Sequence, residues 1–244
     1  MMKIKNLGVS VKGKNILKGI NMELEKGKIY FLMGPNGSGK STLANALMGN
    51  PKYSFDSGNI FFDGKDIAKD QVDKRAKKGL FVSFQNPSEI SGVAFLSFLR
   101  NAFNSLNRKK ISLLEFQNLV NEKASNLNLD KKFLSRYLND NFSGGEKKKS
   151  EILQMLILNP SVAILDEPDS GLDSDSIKIV SEEIKKFSGK DKTILIITHY
   201  TRLLKHLNPD RVFVMLDGEI VSQGEKDIIE KIENKGYGWV KNAN

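Results

Sequence analysis

The run Gly34-Pro35-Asn36-Gly37-Ser38-Gly39-Lys40-Ser41 has the residue types and the spacing to hold a chain of phosphates. It fits G-x-x-x-x-G-K-[ST] and stands between an apolar run, Ile29 to Met33, and a helix-like stretch, Thr42 to Met48. Glycines let the backbone curl until successive N–H groups face one point, and the helix N-terminus adds partial positive charge there. Lys40 would then reach the β- and γ-phosphates, and the Ser41 hydroxyl would ligate Mg²⁺. A glycine-rich turn with an ordinary lysine is the plainer reading, but it leaves the strand before and the helix after unexplained. The chemistry implied is that of a nucleoside triphosphate.

Two further stretches belong with it. Val162 to Leu165 is an apolar strand that ends in Asp166 and Glu167. Buried carboxylates at a strand tip are costly unless something offsets them, and beside a phosphate loop Mg²⁺ and water do so. Asp166 suits the metal shell, and Glu167 suits the base that orients and deprotonates an attacking water. In Asn141-Phe142-Ser143-Gly144-Gly145-Glu146, a capping box accounts for Ser143 and Glu146. It does not account for two consecutive glycines, each costing a helix roughly 1 kcal/mol. Bare glycines at a helix start let a phosphate come close. A second phosphate element in one chain suggests that its phosphate belongs to another subunit's nucleotide.

The elements that must position these residues are those of an α/β domain. Residues 3–33 read as strands and turns, with Ile20 to Leu24 alternating as a half-buried strand does and Lys12 to Asn15 as a turn. A short strand from Ser57 ends in the Asp63-Gly64 turn, and Leu80 to Phe84 reads as a buried strand with Gln85 at its end. From Asn86 to about Asn141 strand signals are absent. Phe95 to Leu106 and Leu113 to Val120 carry apolar residues at helical spacing, which predicts an inserted helical subdomain over 86–150. The α/β pattern returns with a helix from Gly144 to Leu158, the strand at Val162, a helix from Asp175 to Phe187 and the strand Thr193 to Thr198. A short helix at Thr201 to Leu207 and a hairpin turning at Asp217-Gly218 follow. Continuous β-branched and Leu runs separated by helices predict a parallel sheet covered on both faces. The whole of 1–244 reads as one domain, with 1–85 and 151–244 forming the α/β core.

Composition narrows the function. At 244 residues the chain is long enough for a substantial core, and no apolar run approaches the ~18 residues that span a bilayer. The start carries no signal-peptide core, so a cytoplasmic location is expected. With no cysteine there is no disulfide and no cysteine-held cluster on this chain. The net charge of +9 invites a nucleic-acid reading. However, the lysines are scattered, and the densest runs, Lys74 to Lys78 and Lys147 to Lys149, fall on helices beside acidic residues. A solvated lysine-rich surface is favoured over a nucleic-acid groove, and an acidic protein partner fits the charge equally well.

Taken in order, the G-P-N-G-S-G-K-S loop, Gln85, F-S-G-G-E, A-I-L-D-E-P with S-G-L-D, and the strand-end Thr198-His199 resemble an ABC-type ATPase cassette over nearly the whole chain. The resemblance implies a P-loop NTPase fold with an N-terminal antiparallel β subdomain and an inserted α-helical subdomain. It implies ATP and Mg²⁺, with Gly34, Pro35, Asn36, Gly37, Ser38, Gly39, Lys40, Ser41 and Thr42 around the nucleotide. It implies Ser41, Gln85 and Asp166 at the metal, Gln85 also at the attacking water, Glu167 as catalytic base and His199 sensing the γ-phosphate. Ser143, Gly144 and Gly145 would hold the γ-phosphate of a second copy, and Ser170 to Asp173 would couple the two sites. His206 lies outside any motif and reads as a surface residue. One departure concerns the base: Val11 falls where the family commonly stacks a tyrosine on adenine.

Finer details are similar to SufC, the ATPase family of the SUF iron–sulfur cluster assembly system. They are Phe84 to Val93, Gly145-Glu146-Lys147-Lys148-Lys149 with Glu151 to Met155, Leu165 to Asp173, Thr198-His199-Tyr200, and Gly236-Tyr237-Gly238-Trp239-Val240. That likeness implies SufB- and SufD-like scaffold partners, an ATP-dependent dimer of cassettes, no membrane permease and no nucleic acid. The cluster would then sit on the partners, in keeping with a chain that lacks cysteine. A transporter cassette and a DNA-associated ABC ATPase remain as rivals, although the latter usually carries a long coiled coil that is not found here.

Overall fold

The computed structural model describes residues 1–107 and 111–241, with side chains through Trp239. In chain order, β1 (Met2–Val11) and β2 (Lys14–Leu24) form a hairpin, and β3 (Ile29–Met33) leads into α1 (Lys40–Met48). β4 (Ser54–Phe62), β5 (Lys65–Asp66), α2 (Val72–Lys77) and β6 (Leu80–Val82) follow. Then come β7 (Ile90–Ala94), α3 (Phe95–Leu106), α4 (Leu113–Asn126) and β8 (Tyr137–Leu138). The chain continues with α5 (Gly144–Leu158), β9 (Val162–Asp166), α6 (Ser174–Phe187) and β10 (Thr193–Ile197). It ends with β11 (Arg211–Leu216), β12 (Glu219–Gly224), α7 (Asp227–Lys235) and α8 (Gly238–Lys241).

The apolar runs pair into a six-stranded sheet in the order β12-β11-β3-β10-β9-β6, parallel except for the edge strand β12. Period-two alternation sends their side chains to two separate cores. Phe31, Met33, Leu165 and Ile196 face the core built with α3 to α6. Tyr30, Leu32, Ile164 and Leu195 face the core shared with α1 and the antiparallel sheet β2-β1-β4-β5. The fold is therefore the α/β P-loop cassette, with its antiparallel β subdomain and its helical insertion.

Turn chemistry explains the hairpins. Lys12 and Gly13, Asp63 and Gly64, and Asp217 and Gly218 all take positive φ, as the twist of a two-residue hairpin turn requires. The first turn is tighter than the predicted Lys12–Asn15 span, so β2 starts at Lys14, well before Ile20.

Three expectations need correction. The segment after Asn86 does contain strands: β7 pairs antiparallel with β8. β8 has two residues, too few to show a period. The strand predicted through Phe84 ends at Val82, and Phe84 is 52% exposed. The short helix near Thr201 is a single 3₁₀ turn, Arg202–Lys205. His206 beyond it is exposed, as read.

The lysine-rich stretch on α2 is only partly a solvated face. Lys77 and Lys78 pair with Asp73 and Asp70 at the surface, but Arg75 is 1% exposed. Its guanidinium donates to the Ala46 and Leu47 carbonyls at the end of α1 (2.9 and 2.7 Å) and to those of Ala68 and Asp70 (2.8 and 2.9 Å). It thus satisfies the carbonyls that the last turn of α1 leaves open and places a cation at the negative end of the helix. Arg75→Met should lower the free energy of unfolding in urea by roughly 2 to 4 kcal/mol, because several buried acceptors lose their donors together. An unchanged urea midpoint would refute this role.

Candidate active site

The phosphate loop leaves the carboxyl end of β3, the middle of the sheet, and its shape depends on two glycines. Gly39 has φ 108°, a conformation costly for any residue with a Cβ. A Cβ on Gly34 would lie 2.2 Å from the Met215 carbonyl of β11. Lys40 is buried, and its Nζ donates to the carbonyls of Gly34 and Pro35 at 2.8 Å each. Burial lowers the Lys40 pKa, against the charges of Glu167 and Asp166.

A hollow above the loop is lined by Asn36, Gly37, Gly39, Lys40, Ser41 and Thr42, and on its far side by Gln85, Glu167 and His199. Gly34 and Pro35 lie behind Lys40. Ser38 is 3% exposed, and its carbonyl accepts from the Gly218 amide at 2.9 Å. Every predicted phosphate-loop residue therefore either faces the hollow or shapes the loop beneath it.

The carboxyl end of β9 supplies the acids. Asp166 is 2% exposed, with a carboxylate oxygen, Oδ1, that has no hydrogen-bond partner. Burial raises its pKa, while hydrogen bonding from Ser41 and the charges of Lys148 and Lys40 act in the opposite direction. An orphaned, desolvated anionic oxygen beside a serine hydroxyl is a fitting ligand set for Mg²⁺, which takes one or two carboxylates and leaves room for phosphate and water. Among the described residues no group of three or more His, Cys, Asp or Glu could hold a metal.

Glu167 has φ 50°, an uncommon conformation for a side-chain-bearing residue, and its amide donates to the Ile197 carbonyl at 2.8 Å. Its carboxylate is held at both oxygens. Gln85 Nε2 donates to Oε2 at 2.8 Å, and His199 Nδ1 lies 2.8 Å from Oε1. The His199 loop is itself fixed. Thr198 Oγ1 donates to the fully buried Asp169 (3.2 Å) and accepts from the Tyr200 amide (3.0 Å). Gln85, Glu167 and His199, predicted from three distant segments, therefore form one cluster facing Lys40. That arrangement can hold a terminal phosphate and orient a water toward it.

A family model described as "ABC transporter" matches residues 17–170. The chain belongs to this family. Vegetative protein 296 of Bacillus subtilis (strain 168) is 48% identical over 240 residues, which cover 98% of this chain and 92% of that one. The probable ATP-dependent transporter ycf16 of Cyanophora paradoxa is 44% identical over 244 residues, covering 98% and 94%. The dimeric structure of MJ0796, a bacterial ABC transporter cassette, superposes with a TM-score of 0.81 at 24% identity, over 92% of this chain and 98% of that one, a likeness of fold. As an ABC ATPase the chain hydrolyses ATP to ADP and phosphate with Mg²⁺ as cofactor.

The glycine pair of this ABC ATPase lies elsewhere. Ser143 caps α5 through the predicted box: its Oγ accepts from the Glu146 amide at 3.2 Å, and its own amide donates to the Glu146 carboxylate at 2.7 Å. Ser143, Gly144 and Gly145 border a second hollow with Gly171, Leu172 and Asp173. The two hollows have no lining residue in common. A Cβ added to Gly144 would meet nothing within 4 Å, so that helix start is open to an incoming group.

Sequence reasoning missed three residues around the site. Ile16 of β2 lines the nucleotide hollow. No motif marks it. Lys148, read as part of a solvated lysine run, and Glu151 are 5% and 4% exposed and bind the backbone around Gln85. A lysine followed three residues later by glutamate on a helix face that turns inward was the available signal.

Burial raises the Glu151 pKa to about 7, against the nearby Lys148 charge and a hydrogen bond from the Phe84 amide. A raised carboxyl pKa favours the protonated fold, so stability is greatest below the unfolded value of 4.5 and falls as pH rises through about 7. The full shift corresponds to about 3 kcal/mol. In chelator with no nucleotide, wild-type protein should lose roughly 2 to 3 kcal/mol more than Glu151→Gln between pH 5 and 8 in urea titrations. Equal losses would contradict the burial of this charge.

Proposed function

We propose that two copies of this chain close over two ATP molecules and that the closure drives soluble scaffold partners of iron–sulfur cluster assembly. The observation that carries the split site is the pair of phosphate-binding elements in hollows that do not meet. One copy offers Lys40, Ser41, Gln85, Asp166, Glu167 and His199; the other offers Ser143, Gly144 and Gly145. MJ0796, which shares this fold, forms a dimer, and a post-hydrolysis dimer of it has ADP and Pi bound.

In this reading the amides of Gly37 to Lys40 and the Lys40 ammonium hold the β- and γ-phosphates. Ser41, Asp166 and Gln85 would hold Mg²⁺, whose charge would draw electron density from the γ-phosphoryl group. Glu167, pinned between Gln85 and His199, orients the attacking water and takes its proton. His199 reads the γ-phosphate across the same cluster. Because neither copy completes a site, an isolated monomer turns over slowly. The partner docks where α3 meets the Gln85 loop, in a groove lined by Val72, Phe84, Ala102 and Leu106. Phe84 stands exposed there beside Gln85.

The SUF assignment rests on the combined likeness of residues 84–93, 145–155, 165–173, 198–200 and 236–240 to that ATPase family. A cytoplasmic motor acting on SufB- and SufD-like proteins is the function that fits it, and no helix among the described residues is long and apolar enough to cross a membrane. The second reading, a transporter subunit, is favoured by names among relatives, such as the probable ABC transporter ATP-binding protein SpyM3_0208 of Streptococcus pyogenes, 47% identical over 242 residues.

Glu167→Gln should bind ATP and accumulate as a dimer on size exclusion, while Lys40→Ala should lose nucleotide binding. A Glu167→Gln protein that stays monomeric with ATP sinks the split site. Native capture of the wild-type chain should bring down soluble scaffold proteins. Recovery of an integral membrane subunit instead would assign it to a transporter.

A further inference from the structure

Lys148 and Glu151 are three residues apart near the start of α5, and both are turned into the protein. Their partners are main-chain groups of one short loop and the strand beside it. Lys148 Nζ donates to the carbonyls of Phe84 (3.1 Å), Gln85 (3.0 Å) and Asp166 (3.2 Å). Glu151 Oε1 accepts from the Phe84 amide at 2.5 Å. The two charged groups lie 3.8 Å apart, through Glu151 Oε2, which has no hydrogen bond of its own.

This explains why β6 stops early. The Ser83 amide still bonds to the Ile164 carbonyl of β9, but the next amide and the next two carbonyls are taken by α5. Released from the sheet, the loop sends Phe84 out to the groove and Gln85 in to Glu167. The same helix begins at Ser143, the element offered to a second copy's nucleotide. One buried pair thus joins the groove, the hydrolytic cluster and the opposite half-site.

Such a pair is a poor choice for stability alone. Removing two charges from water costs about as much as their attraction returns, and apolar residues of similar size serve packing as well or better. What the two side chains supply is a fixed position for backbone groups that the sheet has abandoned. We infer that Lys148 and Glu151 are positioning residues for hydrolysis: they set where Gln85 stands against Glu167 and make that position follow the movement of α5. The inference rests on the reading that Gln85 serves the metal and the attacking water.

The test compares Lys148→Met/Glu151→Leu, Lys148→Gln and Gln85→Ala with the wild-type chain, by thermal melting and by steady-state ATPase kinetics at saturating Mg²⁺. The apolar double variant should melt no lower than wild type and keep its KM for ATP within about twofold, while kcat falls roughly 10- to 100-fold. A role confined to folding predicts wild-type kcat in any double variant that melts normally, and that result overturns the inference. Lys148→Gln carries the test if the double variant does not fold. It keeps a single amide donor for three carbonyls, so its kcat should fall without a change in KM, and an unchanged kcat is again fatal. Gln85→Ala separates the two levels. If it is slow while the paired variants are not, the positioning role fails alone; if it turns over at the wild-type rate, the reading of Gln85 fails and the inference with it.

Discussion

Two acids at the inner end of one strand set the terms for the rest of the molecule. Asp166 and Glu167 are 2% and 6% exposed, and a buried carboxylate is tolerated only where donors or cations surround it. Each neighbouring element contributes at least one. α1 brings Lys40 and Ser41, the loop after β6 brings Gln85, the loop after β10 brings His199, and α5 brings Lys148. A parallel sheet makes this convergence possible, because the carboxyl ends of β3, β6, β9 and β10 all open on the same side.

The same constraint gives a reason for dividing the site. The hollow over the phosphate loop is lined by Gln85, Glu167 and His199 but by none of Ser143, Gly144 and Gly145. A γ-phosphate there would meet only part of the donors that its charge requires. The start of α5 is a helix N-terminus with two bare glycines, placed where its own chain's nucleotide hollow does not reach. In the proposed dimer two copies would satisfy both deficits at once, each supplying dipole and amides to the other's phosphate.

Much of this was legible in the residues. The phosphate loop, the acidic end of β9, the capping box at Ser143 and the His199 strand end all announce themselves through residue types that ordinary packing does not require. The apolar periods of α3 and α4 were equally plain. Other features were hidden for identifiable reasons. β8 is too short to show alternation, and β6 ends where hydrogen bonds from a distant helix replace sheet pairing. Arg75, Lys148 and Glu151 sit in charged runs that look solvated, and only the tertiary fold turns those side chains inward. Ile16 lines the nucleotide hollow as an ordinary β-branched residue of a strand.

Those inward-turned cations share a pattern. Arg75 meets four carbonyls, Lys148 three, Lys40 two, and Lys192 two. Arg75 and Lys148 neutralise partial negative charge where a helix or strand leaves its backbone unpaired, so part of the net charge of +9 is internal structure and not a surface for nucleic acid. Lys40 shows how this serves catalysis. An ammonium has three donors, and two of them fix the first turn of the loop through Gly34 and Pro35. In the proposed site the third would serve a phosphate oxygen, so the same residue would bind the substrate and hold the loop in the shape that receives it, with little reorganisation left to oppose binding.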